Sequence, residues 1–214
     1  MRLRRDNRGS SIVTVLVVVT FMTILVTTLL YITGMNFKSK QADYQNTQSF
    51  YVNEITADEI KARFVLEASA AFEKAYKTTM LQYAKLSAVD RDALYEKTFV
   101  DEISARWDAK KISPSDTNMD VLQNTFGLTA PGEIISVGVW NFDWDNGYAQ
   151  LQDIVISYTD ARGNTNMIST DIYMAAPEFD WSIDTAGAWL SGVDDNREVF
   201  QIEDFVIFKN WQKY

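Results

Sequence analysis

The side chains that could do chemistry in this sequence are carboxylates, because the 214 residues include no cysteine and no histidine. Their absence removes thiol nucleophiles, imidazole bases and the usual zinc ligands. The 29 aspartates and glutamates could supply the pair of carboxylates that glycoside hydrolysis requires. With so many acids, some pair is always close together, so their spacing indicates no particular reaction. The sequence also lacks a P-loop, a Rossmann glycine pattern and a G-x-S-x-G turn. We therefore expect no enzyme and no cofactor.

Two acidic turns have a composition that could suit calcium. The segment DWDNG at 143–147 begins like an EF-hand loop. However, Tyr148 stands where that loop needs glycine, and Ile154 stands where it needs the bidentate glutamate. We expect a hairpin turn with a solvated acidic rim there. Asp194 and Asp195, followed by asparagine, could also bind calcium, but two adjacent acids are usually just a loop, so we expect no metal site.

The last candidate for chemistry is a peptide bond rather than a side chain. Gly9 is followed by the small residue Ser10 and is preceded by a basic leader that contains Arg4, Arg5 and Arg8. No charged residue occurs from this glycine through position 37. The boundary could be a cleavage site, or it could be the accidental flank of a membrane anchor.

The apolar run after this boundary has the length of a membrane span. Residues 11–32 are almost entirely Val, Ile, Leu, Met, Phe and Thr. About 20 apolar residues at a helical rise of about 1.5 Å cross the roughly 30 Å hydrocarbon core. A removable secretory signal has a shorter core followed by small residues in an A-x-A pattern, whereas the first alanine here is Ala42. The basic flank predicts a cytoplasmic N-terminus and an exported C-terminal body.

The basic leader, Gly9, Ser10 and the unbroken apolar run together resemble the prepilin signal of type IV pilins and type II secretion pseudopilins. The resemblance implies cleavage after Gly9 by a prepilin peptidase at the cytoplasmic face, with Ser10 as the new, typically N-methylated, terminus. Arg4, Arg5 and Arg8 would set the topology and the access of the peptidase. The apolar helix would be kept, first as a membrane anchor and later as a filament core in contact with other pilin subunits.

One position departs from the family pattern. Members that build the filament shaft usually have glutamate as the fifth mature residue, where it meets the terminal amine of a neighbour. Counting from Ser10, this position is Thr14. Some minor subunits lack the glutamate, and a subunit with no neighbour above it has no amine to neutralise. The departure favours a minor pilin. The alternatives are a type II secretion pseudopilin and a signal-anchored extracellular binding module or enzyme.

A row of threonines inside the apolar run has two interpretations. Thr20, Thr23 and Thr27 follow helical spacing towards Gly34. They could form a stripe of small side chains that allows close helix packing. Alternatively, each hydroxyl bonds the carbonyl one turn back along its own helix.

The segment 35–113 is predicted to be an amphipathic helical region, because no glycine or proline interrupts it. A break is expected near residues 87–90, a second helix at 91–109, and the end of the helical half at residues 113–116. Three pairs of opposite charges four residues apart indicate a solvated face: Glu59 with Arg63, Glu73 with Lys77, and Glu102 with Arg106. One apolar face recurs at three- and four-residue steps: Phe64, Ala68, Ala71, Phe72, Ala75, Tyr76, Met80 and Tyr83.

The segment 114–214 is predicted to be a β-rich head. Alternating apolar residues around 135–139, 154–158 and 168–174 indicate a three-stranded antiparallel meander within residues 133–175. The turns of this meander lie at 145–147 and 161–164. A last strand is expected at 199–208. Five tryptophans are expected to cover the sheet and the helix: Trp140, Trp144, Trp181, Trp189 and Trp211.

The sequence therefore predicts an α+β fold in which a long N-terminal transmembrane-to-amphipathic helix packs on a C-terminal antiparallel sheet. The expected segments are a leader at 1–9, a transmembrane or filament-core helix at 10–34, and the two regions above. The formal net charge of the whole chain is −9. The leader at 1–9 contributes +3, so residues 10–214 together have a charge of −12. Such an acidic body disfavours nucleic acid as a partner. The predicted location is the cell membrane, and a cell-surface pilus after assembly.

Overall fold

The computed structural model describes residues 8–177 and 202–214. A long N-terminal helix precedes a five-stranded antiparallel sheet, which confirms the predicted α+β fold. Arg4, Arg5, Asp194, Asp195, Trp181 and Trp189 lie outside the described residues. The helices are α1 (Arg8–Leu81), α2 (Ala88–Ala109) and α3 (Asn118–Thr125). The strands are β1 (Glu133–Ser136), β2 (Trp140–Asp143), β3 (Tyr148–Thr159), β4 (Thr165–Ala175) and β5 (Val206–Lys213).

Helix α1 is 74 residues long and continues through Gly34. The chain divides into two compact units, Met1–Thr47 and Gln48–Tyr214, and the division falls inside this helix. The described part of the first unit consists of α1 alone. A break does follow α1, but it lies at residues 82–87 and not at the predicted 87–90: a short 3-10 turn follows Leu81, and Ser87 caps α2 by accepting a hydrogen bond from the backbone of Asp90. Helix α2 begins three residues earlier than predicted.

The prediction that the helical half ends before residue 117 is wrong, because α3 follows. Thr117 and Asp120 form a capping box: Thr117 Oγ1 accepts from Asp120 N at 3.3 Å, and Asp120 Oδ2 accepts from Thr117 N at 2.7 Å. These bonds satisfy backbone groups that a helix start otherwise leaves open. The hydrogen bonds from the Thr117 side chain and backbone also lower the pKa of Asp120. A Thr-x-x-Asp pattern directly after the proline-containing turn was the signal for this helix.

The sheet has the order β1-β3-β4-β5, and β2 also pairs with β3. The first predicted strand is therefore two strands that lie along the same partner. Gly138 separates them: its N–H donates to Gln152 O at 3.0 Å, and a Cβ at this position would lie 2.9 Å from that oxygen. Only glycine allows this close approach. The pairing of the meander and both of its turns are confirmed.

Of the last predicted strand, 199–208, residues 199–201 lie outside the described part of the chain, and the strand that the structure describes runs from Val206 to Lys213. A 3-10 turn at Ile202–Phe205 precedes it. The second half of β5 is polar and pairs with β4 up to Ile168. The apolar residues of the segment 199–208 therefore did not indicate where the strand ends. Its end is set by backbone pairing with β4, which continues through the polar residues.

The core lies between the sheet and the second part of α1, with α2 and α3 completing it. Phe64 is 1% exposed, and its ring centroid lies 5.8 Å from Trp107, 5.1 Å from Phe126 and 5.9 Å from Trp140. Of the predicted apolar face, most members are buried or partly buried, and Met80 is exposed. The tryptophans expected to cover the sheet and the helix differ in burial: Trp140 packs against the core, whereas Trp144 and Trp211 are 44% and 36% exposed.

A carboxylate on α1 fixes the segment that leads into β1. Glu59 Oε1 accepts from Thr129 N at 2.9 Å and from Thr129 Oγ1 at 3.0 Å, and Oε2 accepts from Ala130 N at 2.7 Å. Burial raises the pKa of Glu59, but these hydrogen bonds and the nearby charge of Arg63 outweigh it, so the pKa lies below its ordinary value. Glu59 thus holds the loop at Thr129 and Ala130 in place. The sequence had predicted only a surface ion pair between Glu59 and Arg63.

We expect Glu59→Ala to lower the free energy of unfolding by about 1 kcal/mol near neutral pH, the net value of the lost hydrogen bonds. Because the folded-state pKa is depressed, this stabilisation is full above the unfolded-state pKa and is lost as the pH falls through the folded-state value. Urea unfolding of the full chain in detergent micelles, at about pH 7 and about pH 3, should show a smaller difference between variant and parent at the lower pH. The exposed neighbour Asp58→Ala is the control, with an expected change within about 0.5 kcal/mol. Equal losses for Glu59→Ala at both pH values would contradict the assignment.

Candidate functional site

Among the described residues, the main candidate functional feature is the bare apolar surface of α1 over residues 12–37. Its large apolar side chains range from 42% exposed at Leu25 to 69% at Tyr31. An 18-residue window in this helix has a mean hydropathy of 2.6, and none of that window is buried. Soluble monomers rarely expose contiguous apolar surface on this scale. Among the described helices, α1 is thus the candidate membrane span, by length and composition.

The threonine hydroxyls of this surface bond within the helix. Thr20 Oγ1 donates to Leu16 O at 2.8 Å, Thr23 Oγ1 to Val19 O at 2.8 Å, and Thr27 Oγ1 to Thr23 O at 2.6 Å. Thr28 and Thr33 make the same bond, each four residues back. The second of the two interpretations of this row is confirmed. Close packing against another helix stays a prediction, and the two are compatible because a bonded hydroxyl still leaves a small side chain at the surface.

The expected processing boundary lies in the first turn of α1. The helix begins at Arg8, so Gly9 and Ser10 are both helical, and Thr14 lies one turn beyond Ser10. The first turn of α1 contains no acidic residue. The positive end of the helix dipole therefore has no carboxylate from its own first turn beside it. Cleavage at Gly9 and methylation of Ser10 stay predictions.

Ion pairs between α1 and α2 in the second unit have a structural role. Glu67 contacts Arg106 Nε at 2.7 Å and Lys110 Nζ at 2.8 Å. Burial raises the pKa of Glu67, but the hydrogen bonds and charges of Lys110 and Arg106 lower it further, so the net shift is downward. The pKa of Arg106 is raised, chiefly by its hydrogen bond to Glu67. Glu67 and Arg106 therefore both stay ionised. This suits an ion pair that holds two helices together, and it does not suit proton transfer.

A buried carboxylate in the sheet is also structural. Asp171 is 5% exposed and accepts hydrogen bonds from Gln150 Nε2 at 2.8 Å, Asp153 N at 2.8 Å and Asn210 Nδ2 at 2.6 Å. Asp153 and Asn210 have positive φ, 52° and 54°, and lie where β3 and β5 depart from regular pairing. The carboxylate thus satisfies the backbone and side-chain donors of two irregular strands. It was not identified from the sequence, since its partners lie on two other strands, β3 and β5, that are distant from it in the chain.

The acidic turn at 143–147 forms the predicted hairpin. Asp143 Oδ1 accepts from the backbone N–H of Asp145 at 3.1 Å and of Asn146 at 3.0 Å, and Oδ2 accepts from Asn146 Nδ2 at 2.9 Å. These bonds, the Asn146 side chain first, lower the pKa of Asp143. Gly147 completes the turn with a φ of 61°. Within residues 8–177 and 202–214, no three potential metal-ligating side chains lie together.

One surface feature was missed by the sequence reasoning, namely an open pocket of about 500 Å³ beside this turn. It lies between α2 and the β2–β3 turn, and Trp144 forms part of its wall. The alternation of aromatic residues at 140, 142 and 144 was the available signal. The partner residues on α2 lie about 40 positions earlier, so the sequence alone did not bring them together.

No family model, curated protein or solved structure matches this chain. Its function must therefore be inferred from its own residues. The two features that bear on function are the bare apolar helix, with its basic boundary, and the pocket at Trp144.

Proposed function

We propose that this chain is a minor type IV pilin-like subunit with a structural role. It is cleaved after Gly9 by a prepilin peptidase and assembled into, or at the tip of, a pilus through its N-terminal helix. The observation that carries the proposal is the bare apolar surface of α1, which follows the basic leader and the Gly9-Ser10 boundary. Type IV pilins and pseudopilins share this combination of boundary and helix.

The exposed surface explains how one segment could serve two environments. A helix that is apolar on every side can lie in lipid or against other apolar helices, since both remove its side chains from water. Fully burying a Val, Leu, Ile, Phe or Met side chain is favourable by about 1.5–3 kcal/mol relative to leaving it in water. The partners are accordingly the membrane before assembly and other pilin subunits afterwards.

The topology follows from charge. The arginines of the leader favour a cytoplasmic N-terminus, with the second unit outside the cell. After assembly, the subunit would belong to a cell-surface pilus. Thr14 supports a minor subunit over a shaft subunit, because it offers no carboxylate to the terminal amine of a neighbour.

Mass spectrometry of the protein from its native membrane tests the proposal. We expect a mature chain that begins at N-methylated Ser10. We expect the Gly9→Val variant to stay uncleaved and therefore to retain Met1, because a branched side chain replaces the glycine at the cleavage boundary. Gly34→Ala is the matched control, since a Cβ at Gly34 meets no atom within 4 Å, and it should be processed normally. An intact Met1 in the parent protein, in cells that have the peptidase, would reject the proposal.

A type II secretion pseudopilin is the nearest alternative, because it shares the boundary and can also have a residue other than glutamate at the position of Thr14. Neighbouring genes discriminate between the two: a retraction motor indicates a pilus, and an outer-membrane secretin indicates secretion. A signal-anchored extracellular binding module or enzyme is the third possibility. It predicts an uncut N-terminus and an aromatic-lined cleft in the head.

A further inference from the structure

A row of aromatic rings in contact with one another leads from the core of the second unit to its surface, with one edge-to-face, one stacked and one tilted contact. Trp107 lies 5.0 Å from Trp140, Trp140 lies 5.1 Å from Phe142, and Phe142 lies 5.8 Å from Trp144, measured between ring centroids. Trp107 is buried, whereas Trp144 is 44% exposed. The outermost indole is therefore supported from below by rings that are themselves packed.

The indole of Trp144 is also fixed at its polar edge. Its Nε1–H donates to Asp101 Oδ1 on α2 at 2.9 Å. The turn that carries it is held by Asp143, and Gly147 in that turn lies against Glu96, where a Cβ would come within 2.7 Å of Cγ. A surface tryptophan with fixed orientation can bind a ligand at little cost in side-chain entropy.

The rest of the pocket consists of polar groups that have capacity for a ligand. Ala93, Lys97, Asp101 and Asp145 line it together with Trp144. Within the described residues, the Lys97 ammonium and the Asp145 carboxylate have no hydrogen-bond or ion-pair partner, and Asp101 uses only Oδ1. The pocket therefore offers one flat apolar face, one cationic donor and two carboxylate acceptors.

This combination discriminates between classes of ligand. The three charged groups sum to −1, which disfavours an anion, and an apolar ligand would desolvate all three without replacing their hydrogen bonds. A neutral molecule with one apolar face and a rim of hydroxyl or amide groups satisfies every part. A pyranose ring has this form: its C–H face can stack on the indole, while its hydroxyls donate to carboxylates and accept from the ammonium.

We propose that the pocket at Trp144 is a saccharide-binding site, with Trp144 as the stacking platform and Lys97, Asp101 and Asp145 as hydrogen-bonding groups. Its volume of about 500 Å³ is within the usual range for small-ligand sites. The site is shallow and open, so binding is weak for a single site. The proposal goes beyond the filament function and does not depend on it, because all five lining residues lie in the second unit.

Saturation-transfer NMR on the full chain tests the proposal. The protein is kept in zwitterionic detergent micelles, since detergents with sugar headgroups would compete. The probes are the trimer of N-acetylglucosamine, cellotriose and maltotriose. We expect transfer to the ring protons of at least one of them, with the stronger signals on one face of the sugar. Absence of transfer to all three would overturn the proposal, as would transfer to choline in place of the sugars.

Variants locate the site. Trp144→Ala should weaken binding at least about tenfold, which corresponds to about 1.4 kcal/mol. Asp101→Asn retains an oxygen that accepts from the indole and should weaken binding by a smaller factor. Trp211→Ala removes a different exposed tryptophan, on β5, and should leave binding unchanged. Near-ultraviolet circular dichroism confirms that each variant is folded. Equal binding by Trp144→Ala and the parent protein would overturn the assignment. Cleavage at Gly9 is measured separately, so failure of one proposal leaves the other standing.

Discussion

Replacing Val19 and Met22 together with lysine is expected to release the chain from the membrane. The two side chains are 58% and 57% exposed and lie near the middle of the apolar surface of α1. A lysine at the centre of a membrane helix costs roughly 2.5–3.5 kcal/mol, whereas an apolar residue contributes about −0.3 to −0.6 kcal/mol. Two lysines therefore cancel most of what roughly 20 apolar residues provide. The measurement is the fraction of protein that stays with membranes after an alkaline carbonate wash.

The matched control is Val19→Leu with Met22→Leu, which preserves apolar character at both positions and should stay with the membrane. The leader and the second unit are identical in all three proteins. Any difference therefore reports on the apolar surface alone. Retention of the double-lysine variant at the parent level would contradict the assignment of α1 as the anchor.

Replacing Phe64 with alanine is expected to lower the free energy of unfolding by about 3–5 kcal/mol. Phe64 is 1% exposed and contacts aromatic rings from α2, from the residue that follows α3, and from β2. The truncation leaves a cavity at the point where these elements meet, and it removes edge-to-face contacts beyond the lost burial. Urea unfolding of the full chain in micelles, followed by tryptophan fluorescence, measures the change.

Leu66→Ala is the control for this change, because Leu66 lies two residues further along α1 and is 61% exposed. Its expected effect is within about 0.5 kcal/mol. Phe64→Leu keeps most of the volume and should give an intermediate loss, which remains measurable if the alanine variant does not fold. Equal effects of Phe64→Ala and Leu66→Ala would show that the core is not organised around Phe64.

The parts of the fold that could be predicted from sequence are those set by local pattern. The charge-free run before Lys38 indicated a membrane-length helix, and the three- and four-residue spacing from Phe64 to Tyr76 identified the buried face of α1. The turn before β3 followed from Asn146 and Gly147. In each case, residues close together in the chain determine the outcome.

The parts that were missed depend on distant partners or on short signals. Helix α3 begins with a capping box of two residues, Thr117 and Asp120, in a segment that otherwise resembles a loop. The division between β1 and β2 follows from the close approach of Gly138 to Gln152. The position of Trp144 depends on Asp101, which is 43 residues earlier in the chain. Single-sequence periodicity contains no information on such contacts.

Under the proposed filament function, in which the subunit leaves the bilayer to join other copies, the bonded threonines of α1 have a consequence. Because the hydroxyls of Thr20, Thr23 and Thr27 already donate to carbonyls of their own helix, no hydrogen bond has to be broken or re-formed when the surroundings change. Transfer from acyl chains to a bundle of identical rods then exchanges only dispersion contacts, which favours a low barrier in both directions. Such a segment is suited to repeated insertion and withdrawal.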